Sequence, residues 1–451
     1  MRFVSILSAC IFCVFAHAQN IKQSSDKTVD NFSGQANDSV PLFIHEKNTK
    51  EIDTIAGNKF NLLQLIIGYK HHRPHKNITY KYNGLLSTFA FNAVQGFNAT
   101  TGLSYLKEKP SDSTHYEIGG LVNYGIAENK PRFSGYYTQL LDQQNQAKLS
   151  VSGGLTVHQF GESFPIKNLV NSIASSYFGK NFAKFYQKDF IAVHYQQKVS
   201  ESLFGAIELE YAHRKPLFNH TEHSPFVKKY NFSSNNPLDP NDFDYAGFDA
   251  NNIMKLKINT VVSFDRKKRF PLVYLNFETG FGSNFPEYNY ALIGFSTLYQ
   301  QSFQQYGDLG LFVNAGWFLN AHSIAFMDYK HFYANETFIG TTKNYLQNFN
   351  LLPYYSHSTN KSFTELHTEY DFKGFLTDRI PFFGQLKWHL IVGAHALHSY
   401  SHQSYYELSL GLNNIGFKNF RPFRVDFFQS FNGTKRTNGV VVGIKLLNNM
   451  N

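Results

Sequence analysis

The stretch "SFTELHTEYDF", Ser362 to Phe372, sets Glu365, His367, Glu369 and Asp371 two residues apart. On a β-strand successive side chains point to opposite faces, so these four would share one face. Such a row has three chemical readings: ligands for a metal ion, acid/base groups, or the polar wall of something larger. A metal site needs ligands converging within about 2–2.6 Å of one ion. Strand residues two apart are separated by about 6.6–6.8 Å along the backbone, so the row closes no site without neighbours. No nucleophile elbow, zincin, phosphate-loop or dinucleotide motif occurs in the sequence. Asp239, Asp242 and Asp244 in "DPNDFDY" resemble part of a calcium loop, but its glycine and closing glutamate are missing. The row reads best as a wall.

The elements that would position it alternate with period two along most of the chain. In "IMKLKINTVVSF", Met254, Leu256, Ile258, Thr260, Val262 and Phe264 share one face, and Lys255, Lys257 and Asn259 the other. "SLFGAIELEY" sets Leu203, Ile207, Leu209 and Tyr211 against Glu208 and Glu210. "PLVYLNFETGF" sets its apolar face against Glu278, and "YYELSLGLNN" sets Leu408, Leu410 and Leu412 against Glu407. "LKWHLIVGAHAL" sets Leu390 and Val392 against Lys387, His389 and His395, and Arg424 and Asp426 belong to the polar face of a later strand. These segments run to about 10 residues or more, against a usual strand of about 5–6.

Composition fits the same picture. Aromatics make up 17% of the chain, with 28 Tyr and 46 Phe, and mean hydropathy is −0.33. Past the N-terminal stretch no apolar run approaches the roughly 18 residues of a membrane-spanning helix. Alternating barrel strands average out to such modest hydropathy. The expectation is an all-β chain: one transmembrane antiparallel up-and-down β-barrel of about 16 strands (14–16) over residues 84–447. With both termini periplasmic, strand parity puts the three longest connections, 160–185, 214–250 and 319–360, on the extracellular side.

The first residues, "MRFVSILSACIFCVFAHAQN", read as a signal peptide cleaved after Ala18. Leu7-Ser8-Ala9-Cys10 also resembles a lipoprotein box, though few apolar residues precede it. Both cysteines, Cys10 and Cys13, lie here, so disulfides, thiolate metal sites and cysteine nucleophiles are excluded from the exported chain. Residues 19–58 read as a polar flexible leader, 59–83 as a periplasmic segment at the barrel mouth, and 448–451 as a tail. The formal charge of +9 could suit nucleic acid, but the basic residues are dispersed and the chain is exported. Lys and Arg facing anionic lipid head groups is the plainer account. The expected partners are outer-membrane lipid and lipopolysaccharide, with barrel-assembly machinery during biogenesis. No nucleic acid, metal or cofactor is expected.

"FNAVQGFN" (91–98), "YAHRKPLFNHTEHSPF" (211–226), "RFPLVYLNFETGF" (269–281), "GDLGLFVNAGWFLN" (307–320) and residues 354–397 resemble one family. It is the Bacteroidota outer-membrane barrel family of unknown function that usually carries an N-terminal carboxypeptidase-regulatory-like domain. The resemblance implies an outer-membrane barrel and supplies no activity or catalytic residues. Residues 19–83 are too few for a regulatory sandwich of about 100 residues, which points to a barrel-only member. The chain also ends "VVVGIKLLNNMN", without the terminal aromatic common in such barrels.

On this reading the polar faces line a lumen of mixed charge: Lys255, Lys257, Glu208, Glu210, Glu278, Glu407, Arg424 and Asp426, with the row Glu365, His367, Glu369 and Asp371 facing Lys387, His389 and His395. Three functions stay open. A transport or structural barrel without enzymatic activity suits the mixed-charge lumen. An assembly factor resembling the sixteen-stranded insertase superfamily suits the strand count, although no Arg-Gly-aromatic tripeptide is present. A surface hydrolase would draw on His220, His223, Asp239, Asp242 and Asp244 in one long loop, and His322, Asp328, His331, Glu336 and His357 in another.

Overall fold

The computed structural model describes residues 62–444, except 86–87, 112, 162–165, 228, 265–270, 283, 342–344 and 419. The expected signal peptide, leader and tail lie outside the described residues. The chain is all-β. Its single sheet has 19 strands, where alternation alone suggests about 16. The long strands are β4 (Gly96–Lys109), β5 (Thr114–Gly125), β6 (Lys130–Asp142), β7 (Ala147–Gln159), β8 (Phe185–Ser200), β9 (Leu203–Pro216), β10 (Asn251–Ser263), β11 (Leu272–Phe281), β12 (Tyr290–Ser302) and β13 (Asp308–Asn320). They continue as β15 (Phe363–Asp371), β16 (His389–Ser399), β17 (His402–Phe417), β18 (Phe420–Asn432) and β19 (Lys435–Ile444). Each pairs antiparallel with the next, β13 pairing directly with β15.

The additional strands are short. β1 (Tyr69–Arg73) and β2 (Ile78–Tyr82) form a hairpin, and β2 pairs with the end of β4. β3 (Ala90–Asn92) pairs with the start of β4. The sheet therefore begins at Tyr69, before the expected start at residue 84. Gly84 explains the break between β2 and β3. It sits at φ +72°, and a Cβ there would run into the Gly68 amide and the Ile66 carbonyl. β14 (Ile339–Thr341) pairs in parallel with Val442–Ile444 of β19.

Alternation sorts the wall into two faces. Leu408 and Leu410 are 53% and 55% exposed on the outside, while Glu407, His367 and Asp426 are fully buried within. Parity places 160–184, 217–250 and 321–362 at one end of the sheet, hereafter the loop end. The connections at the other, turn end include 143–146, 201–202 and 303–307, and a longer one carrying a short helix, Pro381–Leu386. The three loop-end connections pack together: the Phe160 ring lies 5.7 Å from Phe248 and 6.2 Å from Phe326.

One connection does more than cover the end. β19 runs from its turn at the loop end toward the turn end. By pairing with Val442–Ile444, segment 321–362 therefore descends most of the barrel's length. Its side chains meet the charged inner wall.

The lumenal charge network as candidate functional site

The β15 row lines the inner wall, where each member meets a partner from another element. The Asn314 amide of β13 donates to Glu365, and His367 Nε2 lies 3.6 Å from the same carboxylate. His367 Nδ1 is 2.9 Å from His395 Nδ1 on β16. Glu369 accepts two bonds from Arg424, at 2.8 and 2.6 Å. Arg424 also donates to Asp426, at 2.7 and 2.8 Å. Asp371 accepts from the Lys373 amide at 2.7 Å and from Asn413 at 3.2 Å, with His389 Nδ1 at 3.4 Å. Lys387 lies apart: it is exposed, past the Pro381–Leu386 helix, and precedes β16. The structure does not bring it to the row.

A second cluster spans β8, β9 and β10. Registry sets Lys255 opposite Glu210 and Lys257 opposite Glu208. Lys257 approaches Glu208 at 3.6 Å, and His194 reaches Glu208 at 3.5 Å. Glu210 instead takes Lys188, at 2.7 Å. Lys255 turns to Asp328 of segment 321–362, at 2.6 Å, with Glu278 at 3.7 Å. Arg214 reaches Asp328 from the other side, also at 2.6 Å, and donates to Asn251 at 2.8 Å. Burial pushes the Asp328 carboxyl up, but Arg214 and Lys255 bring it below its ordinary range.

Segment 321–362 is tied to both clusters. Tyr345 donates to Asp426 at 2.7 Å, and the Arg424 guanidinium stacks 4.0 Å from the Tyr345 ring. Glu407 accepts the backbone amides of Asn350 and Leu351, at 2.8 and 2.7 Å, and the Tyr405 hydroxyl at 2.6 Å. The Phe349 ring sits 4.5 Å from His367. The wall's charges thus act as sockets for an inserted piece of backbone. Replacing a buried ion pair by apolar groups is often neutral or stabilising. A network of this kind fixes where the segment sits more than it adds to stability. Among the described residues no group of three or more His, Cys, Asp or Glu is placed to hold a metal ion.

The loop residues weighed for hydrolysis do not converge. His220 Nδ1 lies 2.9 Å from the Val94 carbonyl. Asp239 and Asp242 cap amides of their own turn, at Asn241, Asp244 and Tyr245. His223 stands beside Glu222, at 3.9 Å. His331 is buried between Ser358 Oγ, at 2.7 Å, and the Phe326 carbonyl, at 3.0 Å. His357 packs on His402, and burial pulls its imidazole down to about 4. Burial pushes the Glu336 carboxyl up.

Sequence reasoning missed Arg214, Asp328 as a lumenal group, Tyr345 and Asn350. Arg214 was within reach, since it shares the parity of Glu208 and Glu210. The other three sit on irregular backbone, where no period marks the inward face.

Residues 63–412 match the C-terminal domain of a family of unknown function, DUF5686, and the chain belongs to that family. Among curated proteins none matches. The chain is similar to solved outer-membrane barrels. BamA from Haemophilus ducreyi lacking POTRA domains 1–3 shares 9% identity, with TM-score 0.44, over 81% of this chain and 70% of that one. CdiB from Acinetobacter baumannii shares 8%, with TM-score 0.37, over 78% and 58%. The chain thus spans less than two thirds of CdiB. A porin of Rh. blastica shares 10%, with TM-score 0.30, over 77% and 89%.

Proposed function

We propose that this member of the DUF5686 family is an outer-membrane barrel of transport type, its loop end outward and its lumen shut at rest by segment 321–362. One observation carries the reading: the segment is held by polar sockets, Asp328 between Arg214 and Lys255, and Glu407 on two backbone amides. A permanent core is cheaper to fill with apolar side chains. Polar contacts can be exchanged for water, so these anchors can release, while Phe332, Phe349 and Leu352 also pack the segment against Phe363, Leu397 and Tyr405. Long connections at one end and short turns at the other are the asymmetry of outer-membrane barrels, which supports this orientation. The reading needs no catalytic chemistry, and His220, His331 and His357 are engaged in structural contacts. Lipid and lipopolysaccharide would surround the apolar outer face, and assembly machinery would insert it.

Single-channel recording in planar bilayers tests the proposal. The full chain should be almost silent, with rare openings. A variant with 330–352 replaced by a short Gly/Ser linker should conduct steadily while keeping its heat-modifiable folded band. A folded variant that passes no current would defeat the transport reading.

A second reading, an assembly factor, is favoured by the seam. Among the described residues the outer edge of β19 is paired only over Val442–Ile444, by β14. A strain lacking the protein would then lose other outer-membrane proteins. Unchanged levels of all of them would dismiss it.

A further inference from the structure

The outer wall is not uniform. Along most of it Leu, Ile, Val and Phe project outward, but across β5, β6 and β7 three outward positions are Gly120, Gly135 and Gly153. They stand side by side in register. The fold requires only part of this. A Cβ on Gly153 would press on the Phe190 carbonyl at 2.8 Å, but one on Gly120 would meet nothing and one on Gly135 only a carbonyl at 3.4 Å. Close packing leaves the first two unexplained. Their effect is a shallow trough across the outside of the sheet.

Toward the turn end the trough is bordered by a ladder of outward tyrosines. Tyr80, Tyr105, Tyr116 and Tyr137 succeed one another across four strands, with ring centroids 5.5, 6.1 and 6.2 Å apart. A cavity of about 450 Å³ opens beside them, lined chiefly by Tyr69, Tyr80, Tyr82, Leu103, Tyr105 and Ile118, and it reaches Gly120. A plain aromatic girdle at a membrane boundary accounts for tyrosines. It accounts for neither the glycines nor the cavity.

Cations stand at the same border. Arg73, at the end of β1, places its guanidinium 5.6 Å from the Tyr80 ring centroid and donates to His71 at 3.2 Å. Lys107 of β4, opposite Ile78 in register, donates to the Lys76 carbonyl. Arg73, His75 and Lys76 are exposed on the hairpin turn. Among the described residues, the contacts of Arg73 and Lys107 are with rings and a carbonyl, which carry no negative charge. Glu108, next to Lys107, has the opposite parity and belongs to the inner face.

We propose that this face binds one anionic phospholipid, its phosphate between Arg73 and Lys107 and an acyl chain along the tyrosine border into the glycine trough. The charge sign selects the head group, since basic clusters at a membrane boundary draw anionic lipid. The apolar lining of that cavity selects a chain, since taking methylenes out of water drives lipid-chain binding. The proposal rests on the membrane-spanning reading and is independent of whether the lumen opens.

Native mass spectrometry of the full chain, folded in neutral detergent, tests it. Phosphatidylglycerol, phosphatidylcholine and inorganic phosphate are added in separate arms. We expect one phosphatidylglycerol to be retained roughly tenfold better than phosphatidylcholine. The double change Arg73→Gln and Lys107→Gln should erase that preference. Gly120→Phe, which the fold has room for, should reduce retention of both lipids while the folded band persists. Equal retention of the two lipids, or lipid binding unchanged in either variant, overturns the proposal. So does competition by inorganic phosphate as effective as by the lipid, which would make this a free-anion site. If the wild-type chain gives no folded band in lipid vesicles, the membrane-spanning reading falls first and the lipid site with it.

Discussion

Asp328 has one carboxylate and two cations on it, and all three side chains are cut off from water. Its removal would leave Arg214 buried without its carboxylate, while Lys255 keeps Glu278 at 3.7 Å. Breaking a buried pair from one side costs about 3–5 kcal/mol, most of it the penalty of an uncompensated charge. Asp328→Ala should therefore lower stability by about that amount, read as the denaturant midpoint of the heat-modifiable band. Glu201, 62% exposed in its pair with Lys198, is the control, and Glu201→Ala should change stability by less than about 1 kcal/mol. Similar losses in both variants would mean that the Asp328 cluster is wetter than its geometry implies. The β15 row makes a related point. The face it occupies was legible, because strand geometry makes parity strict. Its partners were legible in part: His395 meets His367 and His389 meets Asp371, as the neighbouring strand implies, but Glu369 is met by a residue 55 positions away, and Glu407 of β17 by backbone amides. No side-chain pattern announces a backbone donor. Lys387 shows the reverse: its parity was right for the row, but a short helix ends just before it, and a helix erases strand parity.

At the level of elements, regular strands were the readable part, because ten or more alternating residues outvote local exceptions. The additional strands are three to five residues long, too short for a period to show. They lie where the sheet needs its edges covered. On one side the helix Asn168–Phe178 shields β3: the Phe91 amide donates to Ser172 Oγ at 2.9 Å, and Ser175 Oγ donates to the Phe91 carbonyl at 3.2 Å. On the other side β14 covers β19, and the Val442 amide donates to the Phe338 carbonyl at 2.8 Å. The two covers touch through Phe178 and Phe338, whose rings lie edge to face at 6.0 Å. An aromatic pair of this kind adds about 0.5–1.5 kcal/mol beyond area burial. Phe338→Ala should loosen the seam locally. Amide exchange at Val442 should quicken by about threefold to tenfold, while exchange at Val193, in mid-sheet, stays unchanged. Equal protection at Val442 in both proteins would show that the seam is held elsewhere.

For the whole molecule, the loop end gathers ionisable groups in surroundings that disfavour their charge, and this sets a direction for stability against pH. Burial, with His402 alongside, holds His357 at about 4, below its ordinary 6.5. Burial also draws Lys184 down to about 8, although Asn181 O, Ser233 Oγ and Ser234 O accept its bonds at 3.1, 2.8 and 2.6 Å. A group whose folded value is lowered binds fewer protons folded than unfolded in the window between the two values. Stability therefore rises with pH across that window. For His357 it is lost as pH falls from about 6.5 to about 4. For Lys184 it is gained as pH rises from about 8 toward 10.5. Glu336, raised by burial, has the opposite sign and loses stability as pH climbs above the ordinary carboxylate range. Between pH 4 and 6.5 the imidazole thus works against the carboxylate. His357→Gln removes one side of that opposition. The wild-type unfolding free energy should fall on acidification by an amount on the order of 1–2 kcal/mol more than that of the variant, after discounting for the water His357 still meets. Parallel curves for the two proteins would place the acid sensitivity in the lumenal pairs, and the barrel would then unlock from within before its loop end gives way.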